Sequence, residues 1–488
     1  MIKKLIKTED FWFKTIIIFF LFIRLILFFY NFTAPPVDTY CSRQAHVLMV
    51  ARNFNIEGIN LLMSKVDIFG KPGYCNLEFP VYEALIAIFC KIINQPIIIG
   101  RTLNIIFTIL SSIFLYLIIS KIIDKKTAIF SVLFFLFAPL MLYFSRTIII
   151  EPMEIFLLLL LTFLYQKWID KKNIFIWWFA TILGILFAII KPQYTVILVS
   201  FVFAYRYTRN NKLKDLIDFD LILSFFIQAI FTMIWLHHIL LIDKLFPNTF
   251  SVGQNLQSWF LGNLELRLNP NVYLLIFIKL LTFVVARSGI LIFMVALWQW
   301  KDVPKLIKLW LGGIILYICI FLNTNFVHEN YHLITIPVFS IFMAFGFQKI
   351  LGLIKEKRLL FVFFALFMIF YSNVDDAKPF FELREKYLIA AEIVKKYVPP
   401  RSMVAYCALK EEEIGSECSY HYNCNTTGIN IDLSGKRLTK EDISRINKIK
   451  EIDYFVLIGP IPDEIFKEFK ELKLLYNKRG KLTIFKIK

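Results

Sequence analysis

The stretch IIIFFLFIRLILFFYNFTAPPVDTYCSRQAH (residues 16–46) contains the features that decide the fold. A continuous apolar run ends at Pro35 and Pro36, and Asp38 and Arg43 follow within a few residues. Taken over residues 11–32, the run has the roughly 20 apolar residues that a helix needs to cross a bilayer. It is too long for a secretory signal peptide, and no small-residue cleavage site follows it. The stretch therefore predicts a membrane-spanning helix followed by a polar outer loop.

The same alternation of apolar runs and polar loops continues along the chain. Hydrophobic residues make up 58% of the sequence, above the roughly 45–50% of soluble domains, so a disordered protein is excluded and a soluble enzyme is disfavoured. The fold class predicted is an α-helical polytopic membrane protein. About eleven spans are predicted, at residues 11–32, 97–120, 127–145, 152–166, 174–190, 193–208, 219–241, 275–300, 306–322, 333–350 and 359–373.

The positive charges indicate how the chain is oriented. The formal net charge is +18, but the basic residues lie between apolar runs, so we predict contact with membrane lipids and no nucleic-acid partner. Every second loop is a basic cluster: Lys3 to Lys7, Lys121 to Lys126, Lys167 to Lys172, Arg206 to Lys214, Lys301 to Lys308, and Lys349 to Arg358. Such loops face the cytoplasm. The predicted location is the cell membrane, with the N-terminus cytoplasmic and the C-terminal tail outside.

The chain is predicted to have two parts. Residues 1–374 form a transmembrane module with two long outer loops, 33–96 and 242–271. Residues 375–488 have a soluble composition. The segments 403–409, 453–459 and 481–487 are typical of strands, and residues 462–475 show helical periodicity. We therefore predict a small α/β extracytoplasmic domain at the C-terminal end.

Ionisable side chains collect at the predicted outer ends of the spans. Charged groups are expensive in a membrane unless they are paired, line a cavity or do chemistry. Arginine can hold phosphate oxygens through paired donors, and a carboxylate near an acceptor hydroxyl can act as a general base. We expect one outer face to present Asp38, Arg43, Glu78, Arg101, Arg146, Glu151, Lys191, His328 and Tyr331. In the simpler alternative, Asp38 is only a turn residue, and Arg146 and Lys191 anchor the helices at the interface.

A metal site is not predicted. Residues 328–332 (HENYH) match the HExxH pattern of zinc proteases, but they lie at a membrane turn before an apolar span and lack a third ligand. Cysteines outside the cytoplasm can oxidise in pairs to form disulfide bonds. Cys41–Cys75 and Cys418–Cys424 are candidate bridges, although spacing alone does not determine connectivity.

Five segments taken in order resemble one enzyme family. They are residues 38–62, GYCNLEFPVYEALIA (73–87) with GRTLN (100–104), FAPLMLYFSRTIIIEPMEIF (137–156), the Lys191–Pro192 turn, and NFVHENYHLITIPVF (325–339). They are similar to GT-C glycosyltransferases, in particular to the protein-O-mannosyltransferase-like branch, glycosyltransferase family 39. The tail also resembles the small outer domain that many of these enzymes carry. The family often has Asp-Glu where this chain has Asp38–Thr39.

The resemblance implies a polyprenyl-phosphate-linked sugar donor, transfer on the outer face of the membrane, and an inverting displacement. The acidic residues of the family correspond here to Asp38, as the candidate base, and Glu151. As a hypothesis, the leaving phosphate is bound by Arg43, Arg146, Lys191, His328 and Tyr331. Arg101, Arg287 and Glu78 are further candidates for substrate binding. No cofactor is expected, because fixed cations can neutralise a phosphate leaving group, although some enzymes of this class use a divalent ion.

The acceptor is left open between a lipid, a polysaccharide and a protein. Two other functions remain as alternatives. A transporter or flippase would also use intramembrane charges, but paired repeats with midplane charges are typical of transporters and are not found here. A polymerase or ligase would transfer an oligosaccharide instead of a single sugar.

Overall fold

The structure, a computed structural model, describes residues 2–210, 218–247, 258–354, 357–408, 417–432, 452–458, 473–478 and 482–487. Its α-helices are, in chain order, α1 (Ile2–Phe28), α2 (Cys41–Glu57), α3 (Val81–Cys90), α4 (Pro96–Ile122), α5 (Lys125–Phe137), α6 (Pro139–Phe144), α7 (Glu151–Lys171), α8 (Ile174–Ile190), α9 (Thr195–Asn210), α10 (Phe219–Leu245), α11 (Leu264–Leu268), α12 (Pro270–Lys279), α13 (Ile290–Trp298), α14 (Lys305–Ile320), α15 (Leu322–Val327), α16 (Ile336–Leu353), α17 (Arg358–Ala377), α18 (Lys386–Tyr397) and α19 (Glu417–Cys424).

Short helical turns and five strands complete the described structure. The 3₁₀ turns are Pro192–Tyr194, Arg287–Gly289, Trp300–Asp302, Glu329–Thr335 and Lys378–Phe381, and Leu280–Ala286 is a π-helix. The strands are β1 (Met403–Ala408), β2 (Thr427–Asp432), β3 (Tyr454–Ile458), β4 (Lys473–Lys478) and β5 (Leu482–Lys486).

The chain forms two compact units. The first contains Met1–Phe32, Gly100–Leu240 and Val252–Pro379, and the second contains Thr33–Ile99, Leu241–Ser251 and Phe380–Lys488. This grouping differs from the predicted division, which assigned residues 33–96 to the membrane module. The first outer loop and the C-terminal segment belong to the same unit.

The first unit is helical, and its helices are apolar enough to lie in a membrane. By length and composition, the described residues include seven helical segments that could cross a bilayer: Phe11–Phe28, Pro96–Ile122, Glu151–Lys171, Phe219–Leu245, Pro270–Trp298, Glu329–Leu353 and Arg358–Phe381. Ile174–Ile190 is a shorter apolar helix. The multi-pass architecture is therefore confirmed, whereas the count of eleven spans stays a prediction.

One predicted span is interrupted. Residues 127–145 form two helices, α5 and α6, because Pro139 lacks an N–H and begins the second of them. Arg24 of α1 satisfies backbone groups at this break: its Nε donates to the carbonyl of Leu136 at 2.8 Å, and its Nη2 donates to the carbonyl of Met141 at 3.0 Å and to Ser145. This mid-span arginine therefore ties three helices together.

Close packing of the first unit also depends on small residues. Ile292 of α13 approaches Gly346 of α16 so closely that a Cβ at Gly346 would lie 2.1 Å from the Ile292 carbonyl oxygen. Gly313 of α14 has the same relation to Ser200 of α9, at 2.3 Å from the serine Cβ. Small residues permit such approaches between membrane helices.

The second unit contains the sheet, with strand order β2-β1-β3-β5-β4. Strands β1, β2 and β3 are parallel, and β5 pairs antiparallel with both β3 and β4. The three predicted strands correspond to β1, β3 and β5. The predicted helix over 462–475 lies outside the described residues as far as 472, and its last three residues belong to β4. The α/β composition of the C-terminal segment agrees with the sequence-based expectation.

The second unit should lose stability in mild acid. Burial lowers the pKa of His46 to about 3 and that of His421 to about 4, so both imidazoles stay neutral in the folded state after their unfolded counterparts have become protonated. The folded state is then favoured above the unfolded pKa of about 6.5 and penalised as the pH falls below it, by roughly 2 kcal/mol per histidine at pH 5. Thermal unfolding between pH 7.5 and 5 measures this. A His46→Gln/His421→Gln variant should flatten the profile.

Candidate functional site

In the first unit, Glu151 and Lys191 lie at the ends of two neighbouring helices. Glu151 is the first residue of α7, where a carboxylate interacts favourably with the helix dipole. Lys191 directly follows α8, and Pro192 prevents the helix from continuing, so the chain turns there through Pro192–Tyr194. Both side chains are almost fully buried, at 1% and 2% exposure.

Lys191 and Asn330 hold the same oxygen of Glu151. Lys191 Nζ lies 2.7 Å from Glu151 Oε1, and Asn330 Nδ2 donates to that same atom at 2.6 Å. Glu151 Oε2 is buried and accepts no hydrogen bond from any residue that the structure describes. The carboxylate is therefore oriented through one oxygen, while the other keeps its lone pairs for a donor. We call Glu151, Lys191, Asn330 and Tyr331 the Glu151 cluster.

Aromatic rings surround the ammonium group of this cluster. Lys191 Nζ lies 4.8 Å from the ring centroid of Tyr331 and 5.6 Å from that of Tyr194, both within cation–π range. Tyr317 supports the wall, because its hydroxyl donates to the Tyr331 carbonyl at 3.2 Å and its ring packs against Tyr194. A low-polarity wall strengthens the electrostatic interactions of any group bound there.

Arg146 and Glu154 are further buried charges of the first unit. Arg146 follows α6 at 1% exposure, and its guanidinium lies 5.7 Å from the ring centroid of Tyr143. Glu154 lies one turn beyond Glu151 on α7 and is fully buried. Sequence reasoning selected Arg146 but missed Glu154, although it lies in the same EPME segment as Glu151.

Two predicted substrate-binding arginines have structural partners. Arg101 Nη1 donates to the carbonyls of Asn31 and Phe32, both at 2.6 Å, and so secures the chain just beyond α1. Arg287 is 71% exposed and pairs with Asp376 of α17, with 2.9 Å between Nε and Oδ1.

The HENYH segment does not form a zinc-protease helix. His328 is extended, with φ of −124°, and Glu329–Thr335 is a 3₁₀ turn, so His328 and His332 do not share one α-helical face. Glu329 pairs with Lys279 at 2.9 Å, and His328 packs against Trp259. No group of three metal-ligating side chains occurs among the described residues.

In the second unit, Asp38 lies just before α2 and is 1% exposed. Gln44 Nε2 donates to Asp38 Oδ1 at 2.6 Å, and the Asp38 carbonyl accepts from the N–H of Cys41. Arg43, on the same helix, pairs with Glu78. The structure therefore brings two of the predicted site residues, Arg43 and Glu78, into one ion pair, and adds Gln44 as the residue that orients Asp38.

Comparisons with known proteins agree with this architecture. Residues 72–240 match the model of the family described as dolichyl-phosphate-mannose-protein mannosyltransferase. No curated protein matches the sequence. The structure resembles ArnT from Cupriavidus metallidurans bound to undecaprenyl phosphate, with a TM-score of 0.64 at 11% identity over 96% of this chain and 97% of that one.

It also resembles the oligosaccharyltransferase of Archaeoglobus fulgidus in complex with zinc and sulfate, with a TM-score of 0.55 at 10% identity over 90% of this chain and 68% of that one. The same enzyme, AglB, in complex with an inhibitory peptide and a dolichol-phosphate, has a TM-score of 0.55 at 11% identity over 92% and 70% of the two chains. The resemblance inferred from the sequence is thereby confirmed: the chain is a multi-pass membrane protein of the GT-C glycosyltransferase fold, and its residues 72–240 carry the sequence pattern of the dolichyl-phosphate-mannose-protein mannosyltransferases.

Proposed function

We propose that this protein is an integral membrane glycosyltransferase that moves a sugar from a polyprenyl-phosphate carrier to an acceptor hydroxyl on the outer face of the membrane. The observation that carries the proposal is the buried Glu151 carboxylate, held through Oε1 by Lys191 and Asn330 while Oε2 is left for a donor. Support comes from the fold, which is that of ArnT bound to undecaprenyl phosphate and of AglB bound to a dolichol-phosphate.

The donor's chemistry explains why the enzyme lies in the membrane. A polyprenyl tail stays in the hydrocarbon region and its phosphate stays at the interface, so the sugar–phosphate bond is reached only by side chains at that depth. Lys191 holds Glu151 through an ammonium group that carries a full positive charge and three N–H donors. In this proposal Lys191 and Arg146 supply positive charge for the developing phosphate monoester, and Tyr331 and His328 bind its oxygens.

The reaction proposed is a single displacement. The acceptor oxygen attacks the anomeric carbon as the bond to the phosphate oxygen breaks, and the bonding electrons leave with the phosphate. Asp38 accepts the acceptor's proton, with its carboxylate oriented by Gln44, and the anomeric configuration inverts. Glu151 Oε2 accepts a hydrogen bond from the acceptor or the sugar. Arg43, with Glu78, shapes the first outer loop.

Fixed cations, and no metal ion, are proposed to neutralise the leaving group. Chelator should then leave turnover unchanged. A loss of transfer in EDTA that added Mg²⁺ or Mn²⁺ restores would contradict this part of the proposal.

The test uses the full chain in proteoliposomes with polyprenyl-phosphate hexose or pentose labelled in the sugar, together with a membrane extract of the source cells as acceptor. We expect the label to leave the carrier and enter the acceptor fraction, with polyprenyl phosphate released and the anomeric configuration inverted by NMR. Movement of intact donor across the bilayer would indicate a flippase. Transfer of oligosaccharides alone would indicate a ligase.

A further inference from the structure

In the second unit, a hairpin of the first outer loop is paired with the edge of the sheet. Residues 64–75 form this loop hairpin, with the N–H of Val66 donating to the Gly73 carbonyl and that of Cys75 to the Ser64 carbonyl, both at 2.9 Å. Its tip pairs with β2, because Phe69 bridges Ile429 and the N–H of Gly70 donates to the Gly428 carbonyl at 2.6 Å. The loop hairpin is thus held against the C-terminal segment by backbone hydrogen bonds.

Helix α19, which directly precedes β2, presents Cys418 toward the same loop. Tyr422, one turn after Cys418, packs under Arg52 of α2, with 5.3 Å between the guanidinium carbon and the ring centroid. Cys75 and Cys418 belong to one buried cluster, at 2% and 1% exposure, with Met49, Phe54, Val66 and Ile68 among its members. Two cysteines distant in sequence therefore belong to one apolar cluster, which joins the loop hairpin to α19.

The two candidate disulfides from the sequence, Cys41–Cys75 and Cys418–Cys424, are not supported in this way. Cys418 and Cys424 lie six residues apart on α19, which separates them by about 9 Å along the axis, beyond the ~7 Å Cα limit for a bridge. Cys41 lies with Cys424 in a different cluster from Cys75. The Cys418–Cys424 prediction is wrong, and Cys41 and Cys75 belong to different apolar clusters.

We propose that Cys75 and Cys418 form a disulfide in the mature protein, linking the first outer loop to the C-terminal segment. The structure records both residues as thiols. The two thiols lose two protons and two electrons, which the disulfide of a thiol–disulfide oxidoreductase accepts as it becomes a dithiol. The inference rests on the outward placement of this unit in the proposed function, because disulfides persist outside the cytoplasm.

The bond must form while the chain folds. Burial raises the pKa of the Cys75 thiol, so the thiolate that attacks a disulfide is scarce once the cluster has closed. The same burial keeps reductants away from the finished bond. The disulfide is therefore structural and does not act as a reversible switch.

The test is made on the full-length protein in its native membrane. Cells are quenched in acid, the denatured protein is alkylated with N-ethylmaleimide without reductant, and its peptides are analysed by mass spectrometry. We expect the Cys75 and Cys418 peptides to be linked, and Cys41 and Cys424 to carry the label. Label on both Cys75 and Cys418, or a link from either to another cysteine, overturns the proposal.

Stability provides a second measurement. In non-reducing buffer Cys75→Ser, Cys418→Ser and the double variant should all lower Tm by the same roughly 5–10 °C, because each removes one bond. Cys319→Ser, an exposed cysteine, is the control and should unfold like the wild type. Single losses that add in the double variant contradict a bond. A chain that transfers sugar with both thiols alkylated overturns the disulfide alone, and a bonded chain without transfer overturns the proposed function alone.

Discussion

Asp38→Asn is expected to reduce sugar transfer by about 10²–10⁴-fold, the usual contribution of a general base. The asparagine keeps the size of the side chain and an oxygen that can accept from Gln44 Nε2, so the local hydrogen bond at 2.6 Å is retained. What it lacks is the ability to take the proton of the acceptor hydroxyl. The measurement is the initial rate of transfer in proteoliposomes, with thermal unfolding recorded on the same preparation.

Glu57→Gln is the matched control for this variant. Glu57 is an exposed carboxylate of the same unit, paired with Lys65, and its loss should leave transfer at the wild-type rate. Gln44→Ala should reduce transfer less than Asp38→Asn, because it disorders the carboxylate without removing it. Unchanged turnover in Asp38→Asn, with the protein folded, would remove Asp38 from the mechanism.

Lys191→Met is expected to cost about 3–5 kcal/mol of folding free energy, since it leaves the buried Glu151 carboxylate without its cation. Adding Glu151→Gln in the same chain should recover most of this loss. The neutral amide no longer needs a cation, and its oxygen still accepts from Asn330 Nδ2. The measurement is reversible unfolding in mixed micelles, analysed as a double-mutant cycle.

Lys349→Met provides the comparison for the pair. Lys349 and Asp302 lie 2.6 Å apart, as close as Lys191 and Glu151, but they are 40% and 51% exposed. Removing this lysine should cost at most about 1 kcal/mol, as for other solvent-exposed pairs. Equal losses at the two sites, or no recovery in Lys191→Met/Glu151→Gln, would show that the Glu151 cluster is not held by its buried charge pair. Both Lys191 variants should also lose transfer, which separates the site's chemistry from its stability.

Sequence patterns predict the presence of a helix better than they predict an interruption within it. The run 127–145 is largely apolar, and its hydropathy does not reveal that Pro139 starts a new helix or that Arg24 bonds a carbonyl on each side of this break, at Leu136 and at Met141. Residues 275–300 likewise contain the π-helix Leu280–Ala286 and a non-glycine positive φ at Ala286. Hydropathy measures how favourably side chains transfer into an apolar medium. It depends little on which backbone N–H and C=O groups bond to each other, so it does not detect such breaks.

The residues of the candidate site also fall into those that the sequence could predict and those that it could not. Asp38, Glu151 and Lys191 could be selected because buried charges at the ends of apolar runs are costly and need a reason. Asn330 and Gln44 could not be selected from the sequence, because an amide side chain carries no charge and its role depends on which oxygen accepts its hydrogen bond. Charge alone also favoured Arg101 and Arg287 as site residues. In the structure Arg101 donates to two backbone carbonyls, and Arg287 pairs with Asp376.

The amino-acid sequence alone determined that this chain is a multi-pass helical membrane protein with a C-terminal segment of mixed strands and helices, since apolar run length and charge placement are local properties. Only the tertiary structure decided that Lys191 and Asn330 converge on one oxygen of Glu151, that the first outer loop pairs with β2, and that Cys75 and Cys418 share one apolar cluster. These contacts join residues far apart in the chain. Packing and the need to satisfy buried polar groups determine which residues contact each other, and no local window of sequence contains both partners of such a contact.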